Sequence, residues 1–176
     1  VLPISHPPIA DGFVRIRGNR IVEVGEWAGL RERQDAMDLG EVILMPGLVN
    51  AHCHLEYSDF VGAIPEPDSF TDWISAIVDL KHDVNDVAYC RSWLSGARQT
   101  LYHGVTSLGN IENRRDLLPQ LWAQTPLRMF SFLELIVLRA KSDSWREVRA
   151  AYDWARENAP PYGRVGLSPH APYTTK

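Results

Sequence analysis

The chain has 176 residues, a formal net charge of -4 and 45% hydrophobic residues, which is enough apolar material to bury a core. Its basic residues are scattered, which argues against a nucleic-acid or membrane surface as the main partner. No apolar run approaches the roughly 18 residues that span a bilayer, and the N-terminus lacks a signal-peptide pattern. We therefore expect a cytoplasmic globular protein that binds a small molecule and keeps Cys53 and Cys90 reduced.

The N-terminal third contains two strand signals. Residues 12–25 predict a β-hairpin, because two short runs rich in Val and Ile flank Gly18-Asn19. Residues 42–49 are almost continuously apolar and predict a strand that is buried on both faces and kinked at Pro46. The chain also starts without Met and stops at Lys176, directly after a motif, so we expect a piece of a longer protein.

Helical and strand patterns alternate along the rest of the chain. Apolar spacing predicts helices over residues 70–81 and 90–101, and Ser69 with Asp72 forms a capping box before the first. Two further helices are predicted, with Asn113 and Ser144 as their caps. Three further strands are predicted, at residues 105–110, 129–137 and 164–168. Four strands alternating with helices indicate βαβ units and a parallel sheet, about half of the roughly 250 residues of a (β/α)8 barrel.

Two histidines, His52 and His54, end the first apolar strand in the sequence Asn-Ala-His-Cys-His-Leu-Glu. Residues at i and i+2 of a strand project from the same face, so both imidazoles can bind one metal ion. The carboxyl ends of barrel strands are also where (β/α)8 enzymes build their active sites. The pair by itself is a weak signal, since two surface or core histidines give the same pattern.

The surroundings of this pair strengthen the signal. Residues 45–54, Met-Pro-Gly-Leu-Val-Asn-Ala-His-Cys-His, closely resemble the first barrel strand of the amidohydrolase superfamily. Other segments resemble its small β-sandwich, its second barrel strand, and its fourth strand with the following loop: residues 11–25, 104–107 and 166–174. The resemblance implies an α/β fold, with part of a β-sandwich domain at residues 1–44. It further implies the first half of a TIM-like (β/α)8 barrel, about four βα units, at residues 45–176.

The resemblance also implies a chemistry. Zinc or a comparable divalent ion would be bound by His52 and His54 together with a later His and Asp, and would activate water to displace ammonia. The Ser-Pro-His-Ala-Pro-Tyr sequence at residues 168–173 and residues 69–74 resemble the branch that deaminates purine-like rings, including adenosyl nucleosides and aminofutalosine. The acid-base groups would lie beyond Lys176, so we expect no catalytic residue and negligible activity in this chain alone.

Four residues are candidates for substrate contact: His170, Glu134, Asp72 and Glu56. The resemblance places His170 against the substrate, although a loop histidine ordered between two prolines is the alternative. Glu134 lies in an apolar strand, where a carboxylate needs a partner or a function. Asp72 fits a helix cap equally well. Glu56 fits the mouth of the site, support of a metal ligand, or a loop salt bridge.

Alternative functions and assemblies stay open. Several branches bind two metals through a carboxylated lysine on the fourth strand, but residues 165–168 contain no lysine, which favours one metal and a deaminase-like reaction. The alternatives are removal of chloride or an amine from a triazine or pyrimidine ring, and a non-catalytic homologue. Half a barrel exposes sheet edges and apolar surface, so we expect a homo-oligomer or association with the missing C-terminal half.

Overall fold

The computed structural model describes residues 1–136, 144–172 and 174 of the chain, which divides into two compact units, Val1–Gly47 and Leu48–Lys176. Val137, at the end of a predicted strand, and Tyr173 of the histidine loop lie outside the described residues. In the first unit, β1 (Gly12–Arg17) and β2 (Arg20–Glu26) form an antiparallel pair. Gly18 in the connecting turn has φ 60°, a backbone conformation that glycine adopts without strain. The predicted hairpin is confirmed.

The second unit contains a parallel sheet. Its four strands, in spatial order, are β3 (Leu48–Cys53), β4 (Val105–Glu112), β5 (Arg128–Leu135) and β6 (Gly163–Pro169). Its helices, in chain order, are α1 (Phe70–His82), α2 (Asp86–Tyr102), α3 (Leu118–Trp122) and α4 (Ser144–Glu157). Because parallel strands must be joined by crossovers, these helices connect successive strands of the sheet. The predicted α/β architecture with four parallel strands is confirmed.

The first barrel strand starts later than its apolar run predicts. Residues 42–47 lie outside β3, which begins at Leu48, and Val42, Ile43 and Met45 are exposed. Pro46 has no N–H to donate to a sheet, and Leu44 accepts a hydrogen bond from the Leu2 N–H within the first unit. The prediction of a strand over residues 42–49 that is buried on both faces was therefore wrong: only Leu48 and Val49 of this run lie in a strand, and both are exposed.

The core of the second unit lies among the sheet, α2 and α3. The indoles of Trp93 and Trp122 are buried, and the Trp122 ring lies 6.0 Å from that of Trp154 on α4. Helix α1, in contrast, has no buried residue, and its Phe70 side chain is 68% exposed. None of the helices among the described residues is both long and apolar enough to cross a membrane.

Gly96 allows α2 to pack directly on the segment that follows the two histidines. A Cβ at this position would lie 2.1 Å from Ser58 Oγ and 3.1 Å from the Leu55 carbonyl oxygen. Alanine favours a helix by about 1 kcal/mol over glycine, but overpacking costs about 1–3 kcal/mol. We therefore expect Gly96→Ala to lower the free energy of unfolding, as measured by urea denaturation. Arg98→Ala, on the exposed side of the same helix, is the control, and equal stability of the two variants would contradict this packing.

Candidate metal and active site

The two histidines lie where β3 ends. Their ring centroids are 5.4 Å apart, and the ring planes meet at 70°. The pairing of β3 with β4 is irregular between Asn50 and Cys53, and the Asn50 side-chain oxygen accepts a hydrogen bond of 3.2 Å from the His52 N–H. His52 is exposed, whereas the His54 side chain is 26% exposed. The end of β3 therefore presents two neighbouring imidazoles, one of them partly enclosed.

This spacing fits two ligands of one metal ion. Two imidazoles bound to a tetrahedral zinc at about 2.0–2.1 Å have ring centroids about 5 Å apart. Cys53, between the two histidines, packs against the core, and burial raises the pKa of its thiol, which disfavours a thiolate ligand. Across residues 1–136, 144–172 and 174, no group of three or more His, Cys, Asp or Glu side chains could hold a metal. The described residues could therefore supply two of the four ligands that a tetrahedral zinc site takes.

Two neighbours fix the imidazole of His54. The Tyr57 ring is stacked on it, with 5.0 Å between centroids and 5° between planes, and Tyr57 in turn stacks on Phe60. The Nδ1 atom of His54 lies 3.5 Å from the Oε1 atom of Glu56. The ring is thus held on one face by an aromatic side chain and at one edge by a carboxylate.

Glu56 is buried, with 4% of its surface exposed, and its Oε1 atom accepts a hydrogen bond of 3.0 Å from Asn113 Nδ2. Asn113 directly follows β4 and does not cap a helix, so that prediction was wrong. The next helical turn, Arg115–Leu117, follows Arg114 and has no side-chain cap. Because Glu56 is buried, it fits the predicted support of a metal ligand better than the predicted position at the mouth of the site.

The backbone around Glu56 is anchored by two other elements. The 3₁₀ segment Leu55–Phe60 starts with the Leu55 N–H, which donates to the side-chain oxygen of Asn110 on β4 at 3.0 Å. On α2, the buried Ser92 hydroxyl donates to the Glu56 carbonyl oxygen at 2.7 Å. The position of the histidine pair therefore depends on residues that follow it by about forty positions or more in the chain.

Glu112, the last residue of β4, is a buried carboxylate that was not predicted. It is 1% exposed and accepts hydrogen bonds from Trp93 Nε1 at 3.2 Å and Ser131 Oγ at 3.0 Å. Burial raises its pKa from 4.5 to about 8; the charge of Glu56 adds to the rise, and the hydrogen bonds oppose it. A carboxylate in an apolar strand was the signal that singled out Glu134. The same signal is weaker for Glu112, because β4 also contains Thr106, Ser107 and Asn110.

Glu134 and His170 lie near the carboxyl ends of neighbouring strands. Glu134 is opposite Ser168 in the pairing of β5 with β6, and it lines an open cavity of about 510 Å³ together with Glu112. His170 follows β6, where its N–H donates to the Leu135 carbonyl oxygen and its Nδ1 atom lies 2.8 Å from Thr174 Oγ1. Both side chains are therefore placed at the edge of the sheet at which β3 carries its histidines.

Asp72 has a structural role in the first turn of α1. Its carboxylate accepts a hydrogen bond of 2.6 Å from Ser69 Oγ, and its own N–H donates to the same hydroxyl at 3.2 Å. Ser69 thus caps α1 as predicted, while the Asp72 carboxylate accepts from the Ser69 hydroxyl group and not from its backbone N–H, as a full capping box would require. Contact of Asp72 with a substrate stays a prediction.

The sequence profile of the amidohydrolase family matches residues 43–176. The chain belongs to the amidohydrolase family. That match includes the whole parallel sheet and both histidines, so the four parallel strands and the helices between them are a fragment of the amidohydrolase barrel fold. The first unit, in contrast, lies almost entirely outside the match.

Three known proteins are similar to the chain over most of its length. It is 24% identical over 172 residues to adenosine deaminase from Helicobacter pylori, covering 96% of this chain and 41% of that protein. The structure of H. pylori aminofutalosine deaminase with methylthio-coformycin has a TM-score of 0.72 at 22% identity, covering 94% of this chain and 40% of that one. An adenosine deaminase structure from Xanthomonas campestris with bound zinc has a TM-score of 0.65 at 21% identity, over 89% and 37% of the two chains. The chain thus spans about two fifths of these relatives.

Proposed function

We propose that this chain is the first half of the barrel of a metal-dependent hydrolase that removes ammonia from an aminated purine-like ring or nucleoside. The observation that carries the proposal is the pair of imidazoles at the end of β3, 5.4 Å apart, in a chain of the amidohydrolase family. Relatives named as adenosine and 5'-deoxyadenosine deaminases support the reaction and the substrate class.

The proposed metal is zinc, held by His52 and His54 and completed by ligands from the remainder of the barrel. Imidazole nitrogens suit zinc, and the zinc in the X. campestris adenosine deaminase supports the choice. When bound, a divalent metal ion supplies the Lewis acidity that makes water nucleophilic near neutral pH. The absence of lysine from β6 supports a single metal ion over a lysine-bridged pair.

The proposed substrate contacts lie on the strands next to the histidines. The exposed imidazole of His170 can donate or accept a hydrogen bond at a ring nitrogen or a hydroxyl group, and the carboxylate of Glu134 can accept from a sugar hydroxyl. Asp72 would contact the substrate as well only if the remainder of the barrel holds the substrate next to the first turn of α1. We also propose that the outer strands, β3 and β6, pair with that remainder or with another copy of the chain.

An ammonia-release assay tests the proposed function. Full-length, zinc-loaded protein would be incubated with adenosine, 5'-deoxyadenosine, 5-methylthioadenosine and S-adenosylhomocysteine, and in parallel with guanine and with aminated or chlorinated triazines and pyrimidines. Chloride release would be measured for the chlorinated compounds, since their hydrolysis yields no ammonia from the reacting carbon. We expect ammonia from at least one of the adenosine-type nucleosides. Turnover of only the triazines or pyrimidines would replace the proposed substrate class. Zinc-loaded protein that turns over none of these compounds would instead support a non-catalytic homologue.

A further inference from the structure

We propose that Glu56 and Asn113 act together as positioning residues for His54, orienting its imidazole so that Nε2 is the nitrogen presented to the metal. This inference rests on the proposed function for the metal itself. It adds a role for Asn113, which lies 57 positions after Glu56 in the chain and follows a different strand.

The hydrogen bonds of the Glu56 carboxylate converge on one oxygen. Oε1 accepts from Asn113 Nδ2 at 3.0 Å and lies 3.5 Å from His54 Nδ1. Oε2 has no hydrogen-bond partner within the part of the chain that the structure describes. The orientation of the carboxylate relative to His54 is therefore set by Asn113.

Burial makes this contact energetically important. A carboxylate that is 4% exposed is costly to keep charged unless hydrogen-bond donors surround it. The Ser92 hydroxyl holds the Glu56 carbonyl oxygen, which ties the residue to α2. A proton on His54 Nδ1 supplies the donor that the carboxylate needs, and this tautomer leaves the Nε2 lone pair free to bind a metal.

Stacking on Tyr57 does not determine which edge of the His54 ring faces Glu56. Tyr57 fixes the plane of the His54 ring, with 5° between the two planes. A ring rotated by half a turn keeps that plane but exchanges Nδ1 with a ring carbon at the edge next to Glu56. Only a hydrogen-bonding partner at that edge distinguishes the two orientations, and Glu56 is that partner.

The test compares zinc affinity and ring tautomer in full-length protein. Zinc dissociation constants would be measured by chelator competition for Glu56→Gln, Asn113→Ala and the control Asp59→Asn, a carboxylate in the same 3₁₀ segment that pairs with Arg91. The ¹⁵N chemical shifts of labelled histidine would report the tautomer of His54. We expect Nδ1 of the native His54 to carry the proton. We expect Glu56→Gln and Asn113→Ala to weaken zinc binding about 10–100-fold, with Asp59→Asn unchanged.

The outcomes separate this inference from the proposed function. Equal zinc affinity in Glu56→Gln, Asn113→Ala and Asp59→Asn, with a native His54 protonated on Nε2, would overturn the positioning role even if the protein releases ammonia. Weakened zinc binding in both variants would support the positioning role even if no nucleoside is deaminated. Should Asn113→Ala fail to fold, Glu56→Gln decides the question, since glutamine keeps the size of the side chain and removes its charge.

Discussion

Replacing His54 by alanine in the full-length protein is expected to weaken zinc binding by more than about 100-fold and to abolish ammonia release with it. The reason is that His54 is a proposed direct ligand, and the loss should exceed the roughly 10–100-fold effect of removing a residue that only supports a ligand. His52→Ala should behave in the same way, because the two rings lie side by side at the end of β3. Zinc content after equilibrium dialysis and the rate of ammonia release are the two measurements.

His103→Ala is the matched control for these variants. His103 is an exposed histidine at the end of α2, directly before β4, so it lies at the opposite end of the sheet from His52 and His54. Its Nδ1 atom lies 2.8 Å from the Gln99 carbonyl oxygen on the same helix. This variant should keep native zinc content and activity. Native zinc content in His54→Ala would refute the metal site.

Replacing Glu112 by glutamine is expected to change the pH dependence of stability more than any other carboxylate substitution considered for this chain. The folded protein holds the Glu112 proton up to about pH 8, whereas the unfolded chain releases it near pH 4.5. Folding is therefore favoured by this group at low pH, and its contribution is lost as the pH rises from about 4.5 through 8. At about 1.4 kcal/mol per pKa unit, the loss is about 3–5 kcal/mol.

Urea denaturation between pH 5 and pH 9, followed by tryptophan fluorescence, measures this effect. Trp93 donates to the Glu112 carboxylate, so its emission reports on the site. Glutamine cannot ionise, so Glu112→Gln should gain stability relative to the native protein as the pH rises from 5 to 8. The exposed Glu157, changed to Gln, controls for the loss of a charge. Parallel pH profiles for the native protein and Glu112→Gln would contradict the raised pKa.

Local sequence signals predicted most of the architecture. The hairpin around Gly18-Asn19, the Ser69 cap of α1 and the existence of each of the four strands depend on residues close together in the chain. The adjacency of His52 and His54 follows from the two-residue period of a strand and was predicted for the same reason. These features need no knowledge of how distant segments meet.

Contacts between distant segments could not be predicted in this way. The bond from Asn113 to Glu56, and the donation of Trp93 to Glu112, join residues 57 and 19 positions apart. Asn113 is a favourable helix cap by residue type, and only the packing of β3 beside β4 gives its amide a different acceptor. The apolar run over residues 42–49 was predicted as one strand kinked at Pro46, but hydrophobicity does not show where sheet pairing begins, and β3 begins only after this proline, at Leu48.

The position of β3 in the sheet links metal binding to assembly. β3 is an outer strand of the four that the described residues form, and the histidines lie at its end. A strand that pairs with its outer edge and an ion that binds both imidazoles would each stabilise one conformation of β3. By thermodynamic reciprocity, each would raise the affinity of the other by the same factor. Zinc binding would then strengthen the pairing of β3 with an added strand, and removal of zinc by a chelator would weaken that pairing.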